Sequence, residues 1–255
     1  MPDVHICDIV ESSPLTKHAH SITVSSAEIA SQSEAGQFLH VKCGDSHILR
    51  RPLGVCEASG EYVRFVFEVK GQGTLWLSKR IRGDKLDILG PLGAGFKMPQ
   101  GKIVIVGGGL GVPPMLYAAK SAKYGAVAIL GFREFGRVML TDEFMAVCDK
   151  VIVTTDDGSH GERGTVAGPL GRLLAEGGHA GVLACGQLAM QRSVAEICRE
   201  HGVPCQVSLE ERMGCGVGAC LVCACRTVKD GTEKMSMVCK DGPVFDAREV
   251  VWENG

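Results

Sequence analysis

Five of the twelve cysteines lie within residues 215–239, close to the C-terminal end of the chain. Beyond Pro204 the sequence is too short and too rich in cysteine to build a hydrophobic core of its own. A metal cluster can supply the cross-links that such a segment lacks. The C-terminal stretch is therefore the part of the sequence that restricts the possible folds most strongly.

The spacing of four of these cysteines is typical of an iron-sulfur site. Four residues separate the first from the second, two separate the second from the third, and the fourth follows after a further fifteen. This order matches the plant-type ligands of a 2Fe-2S cluster, and the glycines between them favour a tight loop whose N–H groups approach the sulfurs. The predicted ligands are Cys215, Cys220, Cys223 and Cys239.

Structural zinc is the alternative for the same cysteines. Zinc sites usually combine two short Cys-x2-Cys pairs, and only one such pair is present here. Cys225 could replace Cys223 as a ligand, but on a short strand it would point to the opposite face, so we predict that it packs. The single cysteines at 7, 43, 56, 148 and 198 are expected to be small buried hydrophobes.

Composition is that of an ordinary globular protein. The 255 residues are 45% hydrophobic and carry a formal charge of −2, so no global field should recruit nucleic acid or an anionic membrane. The N-terminus lacks a basic region followed by an apolar core, and no apolar run is long enough to span a membrane. We expect a cytoplasmic protein, where a reducing environment favours metal binding over disulfides.

The sequence divides into three regions that differ in the pattern of their apolar and glycine residues. From residue 19 to about 90, short β-branched and aromatic runs alternate with glycine turns, which predicts an antiparallel barrel. From about residue 100, apolar strands alternate with helical stretches, as in a parallel α/β sheet. The predicted division is a barrel at 1–99, an α/β domain at 100–205 and a small cluster domain at 206–255.

Two loops of the α/β region are candidates for nucleotide binding. The strand KIVIV runs into a glycine loop and then Pro113, which suits a pyrophosphate near a helix N-terminus. The loop lacks the last glycine of GxGxxG, and glycine needed only for packing is the alternative. A later strand ends at Cys185 and Gly186, and the carboxyl ends of parallel strands share one cleft. A single buried cysteine is the simpler interpretation of Cys185.

Two short motifs in the barrel region could hold a diphosphate. The run Arg50-Arg51-Pro52-Leu53 places two guanidinium groups beside what we predict to be a rigid turn. The run Gly71-Gln72-Gly73-Thr74 could add backbone and hydroxyl donors. Solvated surface arginines and an ordinary hairpin turn are the alternatives for these two motifs.

Taken together and in this order, the motifs resemble the ferredoxin reductase superfamily. RRPLG and GGGLGVPP are shared by many flavin reductases, whereas SLEERMGCGVGACLVCAC and VCKDGPVF resemble the cluster-binding signature of the electron transfer subunits of the NAD-linked dihydroorotate dehydrogenases. The resemblance implies FAD in the barrel and NAD as a substrate of the α/β domain. By resemblance, the FAD contacts are Arg51, Pro52, Leu53, Gly54, Val66, Phe67, Glu68, Gly73 and Thr74. The NAD contacts are Gly107, Gly108, Gly109, Gly111, Cys185 and Gly186.

The sequence departs from the family pattern at two positions. Gly54 stands where the family usually has serine, which removes a hydroxyl expected near the flavin ring. Gln187 replaces the proline of the Cys-Gly-Pro motif, which we expect to loosen the loop without abolishing the site. The choice between NAD and NADP stays open, because Arg133 and Arg137 favour a 2′-phosphate whereas Glu134 between them opposes it.

The resemblance also implies a partner and a pathway. An FMN-containing catalytic subunit would oxidise dihydroorotate in pyrimidine biosynthesis, in a heterotetramer of two chains of each kind, and no residue here need act as acid, base or nucleophile. Two other functions remain open. One is an electron-transfer subunit of a sulfhydrogenase or a ferredoxin-linked transhydrogenase, and the other is a zinc-stabilised interaction protein without cofactors.

Overall fold

The N-terminal part of the protein is a closed six-stranded antiparallel barrel. The computed structural model describes residues 3–252. Around the barrel the strands follow the order β1-β2-β5-β4-β3-β6. Their bounds are β1 Val4–Pro14, β2 Ala19–Ser25, β3 Phe38–Val41, β4 Arg51–Ser59, β5 Tyr62–Glu68 and β6 Lys85–Leu92. Two short helices, α1 Ala27–Gln32 and α2 Gln72–Leu77, interrupt the strand sequence.

Side-chain alternation explains how the barrel closes. In β6 exposed and buried residues alternate, so that every second side chain enters the barrel core. The core contains Ile22, Leu39, Phe65 and Ile88, all of which are fully buried. The predicted antiparallel barrel is confirmed, although β1 was not predicted and Arg51 begins a strand instead of flanking a turn. Likewise, Gly73 and Thr74 lie in helix α2 and not in a hairpin turn.

The second part is a seven-stranded sheet with helices on both faces. The strands follow the order β10-β9-β8-β7-β11-β12-β15, and all neighbours are parallel except the last pair. In chain order its strands are β7 Ile103–Gly108, β8 Ala126–Phe132, β9 Lys150–Thr155, β10 Glu162–Arg163, β11 Gly181–Cys185, β12 Cys205–Ser208 and β15 Val244–Asp246, and β13 Ala224–Lys229 and β14 Thr232–Met237 lie between the last two in the sequence. The helices are α3 Val112–Lys120, α4 Thr141–Met145, α5 Ala167–Glu176 and α6 Leu188–Glu200.

The C-terminal segment is joined to this sheet. Strands β13 and β14 form a separate antiparallel hairpin, whereas β15 pairs with β12 at the edge of the seven-stranded sheet. One apolar core contains Phe38 of the barrel, Val106 of the sheet, and Cys223, Val238 and Phe245 of the C-terminal segment. The C-terminal segment therefore obtains its core by packing on the barrel and on the seven-stranded sheet.

Residues 1–2 and 253–255, which the predicted first and third domains include, lie outside the described residues. Within residues 3–252, none of the helices combines the length and apolar character needed to cross a membrane.

Replacing Phe245 with alanine should destabilise the whole protein. Phe245 is 7% exposed in the core that joins all three parts, and Phe→Ala changes in such cores cost about 3–5 kcal/mol. Chemical denaturation of the variant measures this loss. Phe135→Ala is the control, because Phe135 is 61% exposed, and its unfolding should change little. Equal stability of the two variants would contradict the shared core.

Candidate functional site

The loop before β13 gathers backbone N–H groups around the sulfur of Cys215. Val217, Ala219 and Cys220 donate their N–H groups to Sγ of Cys215 at 3.4, 3.3 and 3.4 Å. Burial by itself would raise the pKa of this thiol, but these donors outweigh that effect and lower the pKa to about 6. The loop therefore favours the thiolate, the form in which cysteine binds metals.

The other three predicted ligands join the same loop. Cys215 donates its N–H to Sγ of Cys220 at 3.4 Å, and Cys239 donates to Sγ of Cys223 at 3.4 Å. Gly218 connects the two pairs, because its N–H donates to Sγ of Cys239 at 3.1 Å. All four predicted cysteines thus meet in one place, although they come from sequence positions up to 24 residues apart.

Solvent reaches this loop from one side. Cys223 and Cys239 are buried against the rest of the protein, whereas Cys220 is exposed. The side chains of Leu221 and Val222 beside it are also exposed. Among the described residues, no group of three or more His, Cys, Asp or Glu side chains has the arrangement of a metal-ion site. The four thiols are instead arranged as two close pairs.

Cys225, the fifth cysteine of this region, follows the loop in the sequence. It is half-buried on strand β13 and packs against the shared apolar core, and burial raises its pKa to about 11. A raised pKa favours the neutral thiol, which is a poor metal ligand.

The two predicted nucleotide loops touch each other through glycine. A Cβ atom on Gly111 would overlap the carbonyl oxygen of Cys185, and one on Gly186 would lie 3.1 Å from the Cα atom of Gly108. The register of β7 and β11 pairs Gly107 with Cys185, which brings both loops to the carboxyl end of the sheet. This close approach of backbone to backbone requires glycine.

The loop at Cys185 and Gly186 is held by Gln191, which no sequence motif indicated. The buried side chain of Gln191 donates from Nε2 to the carbonyl oxygen of Gly186 at 2.6 Å. Gln187 has φ −60° and ψ 144°, which is the conformation that proline would adopt. The loop thus keeps the shape expected of a proline even though glutamine stands there.

The predicted flavin residues lie on β4, β5 and α2. The guanidinium of Arg51 covers Gly73 so closely that a Cβ there would be 2.5 Å from Nη2. The Thr74 hydroxyl donates to the carbonyl of Gly71 at 3.1 Å, so it stabilises its own turn. Phe67 is buried in the barrel core, so its side chain cannot face a ligand outside the barrel.

Glu68 ties the barrel to the second domain. Its carboxylate forms ion pairs with Arg137 and Lys70, each at 2.8 Å. Burial would raise the pKa of Glu68, but hydrogen bonds from the two cations outweigh it and lower the pKa. Arg137 is therefore held in an ion pair, whereas Arg133 lines a cleft with Glu134, Asp156 and Asp157.

Comparison with known proteins identifies the family. A protein-family model described as the iron-sulfur cluster binding domain of dihydroorotate dehydrogenase B matches residues 210–251. The dihydroorotate dehydrogenase B (NAD(+)) electron transfer subunit of Caldanaerobacter subterraneus subsp. tengcongensis is 41% identical over 85% of this chain and 87% of its own length. This chain belongs to the family of dihydroorotate dehydrogenase B electron transfer subunits. The corresponding subunit of Clostridium perfringens is 39% identical over 95% of this chain and 96% of its own length.

A solved structure supports the same assignment of the fold. The structure of an NADH-dependent reduced ferredoxin-NADP oxidoreductase, described in terms of flavin-based electron bifurcation, superposes with a TM-score of 0.86. It is 30% identical, and the match covers 99% of this chain and 92% of that one. The electron transfer subunit fold, with its barrel, α/β sheet and cluster segment, is therefore confirmed.

The structure provides a physical reason for the glycine at position 54. A Cβ on Gly54 would lie 3.1 Å from Cβ and 3.3 Å from Cγ of Pro114, at the start of α3. Such contacts are tighter than normal packing, so a serine here requires Pro114 to move. The departure from the family pattern at Gly54 thus accompanies close packing of the barrel on helix α3.

Introducing serine at position 54 tests this packing. We expect Gly54→Ser to lower the free energy of unfolding by about 1 kcal/mol, because overpacking a close contact is destabilising. Adding Pro114→Ala should recover part of the loss. The control is Gly71→Ser, since Gly71 has open space and an extended φ of −142°. Urea denaturation measures all three, and an unchanged Gly54→Ser protein would contradict the proposed contact.

A matched pair of glycine variants tests the contact between the nucleotide loops. Gly111→Ala should lower the free energy of unfolding by about 1–3 kcal/mol, since its Cβ meets backbone atoms that cannot move independently. Gly108→Ala should cost less, because its Cβ meets the end of the flexible Met190 side chain. Both have ordinary φ values, so steric overlap alone separates them. Equal losses on thermal unfolding would refute this explanation.

Proposed function

We propose that this chain passes electrons between NAD and an FMN-containing dihydroorotate dehydrogenase catalytic subunit in pyrimidine biosynthesis. FAD and a 2Fe-2S cluster connect the two ends of this route. The complex is a cytoplasmic heterotetramer with two chains of each kind. Family membership supports the electron-transfer role, and the two relatives described above are subunits of NAD(+)-linked dihydroorotate dehydrogenase B.

The observation that carries the proposal is the convergence of four thiols, three from the loop before β13 and the fourth, that of Cys239, from the turn after β14. A 2Fe-2S cluster takes four cysteine thiolates, and two close pairs of sulfurs present that number. Six backbone N–H groups already point at these sulfurs, and such donors stabilise thiolate charge and tune cluster potentials. The donor set fits the cluster. The proposed ligands are Cys215, Cys220, Cys223 and Cys239.

The barrel and the glycine loops supply the remaining sites. Arg51 lies over Gly73, where a guanidinium can meet a diphosphate of FAD. The neighbouring backbone of Pro52, Leu53 and Gly54 runs beside helix α3, facing the α/β domain. The proposed FAD set is completed by Val66, Phe67, Glu68 and Thr74, with Phe67 contributing through its backbone. We place the domain boundaries at 1–99, 100–205 and 206–255.

The proposed NAD site lies at the carboxyl ends of β7 and β11. Gly107, Gly108, Gly109 and Gly111 leave backbone N–H groups accessible where side chains would block them. Cys185 and Gly186 form the opposite wall, and Gln191 fixes its position.

The charges beside this site favour NAD over NADP. The cleft at the ends of β8 and β9 is lined by Arg133 together with Glu134, Asp156 and Asp157. Three carboxylates around a single arginine repel a 2′-phosphate, whereas a ribose hydroxyl can donate to a carboxylate.

The chain's own residues bind and orient the carriers. When bound, FAD exchanges a hydride with nicotinamide and the cluster exchanges single electrons with the partner. Arg51 and the glycine loops hold the anionic diphosphates, and the shared core keeps the barrel and the cluster loop in contact. No side chain is required to act as an acid, base or nucleophile.

Cysteine variants test the cluster assignment. We expect Cys220→Ser to lose the iron-sulfur EPR signal of the dithionite-reduced protein, because the cluster loses a thiolate ligand. Cys225→Ser is the matched control and should keep the signal, since Cys225 lies on strand β13 and its burial favours the neutral thiol. Both proteins are purified anaerobically and assayed for iron, sulfide and zinc. Stoichiometric zinc without iron in the unaltered protein would overturn the proposal.

A second candidate is an electron-transfer subunit of a ferredoxin-linked oxidoreductase. The solved structure with a TM-score of 0.86 favours it, because that protein is an NADH-dependent reduced ferredoxin-NADP oxidoreductase. Anaerobic co-purification separates the two functions. An FMN-containing partner and orotate-dependent oxidation of NADH support the first, whereas ferredoxin-dependent reduction of NADP with a different partner supports the second.

A further inference from the structure

His40 lies between strand β4, which is the proposed flavin strand, and residues 215–223, which form the proposed cluster loop. Its neighbours Leu39 and Val41 point into the barrel core, so alternation along β3 turns the His40 side chain to the outside of the barrel. It is nevertheless completely buried, because the C-terminal segment covers that face. Across the sheet, His40 pairs with Pro52 of the flavin strand.

The cluster loop rests directly on the ring of His40. A Cβ atom on Gly216 would lie 2.6 Å from Nδ1 and 3.2 Å from Cε1 of His40, so only glycine allows this approach. Gly216 has φ +75°, a conformation that also favours glycine. The loop residue next to a proposed ligand is thus shaped to accept the imidazole.

The ring nitrogens of His40 are unusual for a buried polar group. Neither has a hydrogen bond of normal geometry, although the carbonyl groups of Arg50 and Cys215 lie near the ring. Burying an unpaired polar ring is costly, and an apolar side chain would avoid that cost.

Arg50 fixes the position of this histidine within the barrel. The guanidinium donates to the carbonyl oxygens of His40 and Asp87 at 3.2 and 3.1 Å and forms an ion pair with the Asp87 carboxylate at 2.7 Å. The backbone of β3 is therefore held on the barrel side, and the ring is directed at the cluster loop.

We propose that His40 is a positioning residue that bridges the flavin strand and the cluster loop, and thereby sets the rate of electron exchange between flavin and cluster. The ring packs on Gly216 and lies near the carbonyl groups of Arg50 and Cys215, so it orders Cys215 and Gly216 relative to Pro52. This role rests on the proposed function, because it needs FAD on β4 and a cluster on Cys215.

The test compares two electron-transfer steps in the holoenzyme. Rapid mixing with NADH follows flavin bleaching, and rapid-freeze EPR follows reduction of the cluster in the same sample. We expect His40→Leu, which keeps the volume without a donor, to slow cluster reduction about tenfold or more relative to flavin bleaching. The EPR spectrum of the reduced cluster should also change, because Cys215 is less well ordered.

Two further variants complete the test. His40→Gln restores an N–H donor and should recover most of the rate. Ile22→Ala, a truncation elsewhere in the barrel core, should lower the melting temperature without changing the ratio of the two rates. A ratio in His40→Leu equal to that of the unaltered protein, or equal losses in His40→Leu and His40→Gln, would overturn the bridge.

A variant of the cluster loop tests the same contact without altering His40. Gly216→Ala places a methyl group against the imidazole and should lower the same ratio of rates, even where His40→Leu fails to fold. An unchanged ratio in this variant contradicts the bridge. FAD and iron contents of the unaltered protein are measured first, because their absence would refute the proposed function and not the role of His40 alone.

Discussion

The packing of the C-terminal segment on the outside of the barrel is the interaction on which the rest of the structure depends. That segment has no core of its own, and its buried residues Cys223, Val238 and Phe245 share one with Phe38 and with the central strands of the sheet. Burial of this apolar surface, together with the pairing of β15 with β12, joins three chemically distinct parts. Without it, the cluster loop would have no fixed position relative to the barrel.

The proposed sites are made mainly of backbone. Six N–H groups point at the four sulfurs, and the nucleotide loops meet where Gly111 approaches the carbonyl of Cys185. Backbone groups cannot change rotamer, so their dipoles are held in place by the fold itself. This arrangement suits a protein that orients carriers and performs no acid-base chemistry with its side chains.

Ion pairs add a second set of contacts between barrel and sheet. Arg137 reaches from the loop after β8 to Glu68 on β5, and Arg64 on β5 reaches Glu143 of α4 at 2.8 Å. Both pairs are partly shielded from solvent, where such interactions are screened less than on an open surface. They join strand β5 of the barrel to the α/β domain at two points.

Residue types and their spacing by themselves determined the order of the folds and the identity of the proposed cluster ligands. The cysteine spacing predicted which four thiols come together. The pattern of apolar and polar residues predicted a barrel followed by an α/β sheet, because side-chain periodicity is a local property. Only the tertiary structure decided the roles of His40, Pro114 and Gln191. Each acts through a neighbour distant in sequence, namely the Gly216 loop, Gly54 on β4 and the Gly186 carbonyl. A single sequence contains no spacing rule for such contacts, because packing between separate elements creates them.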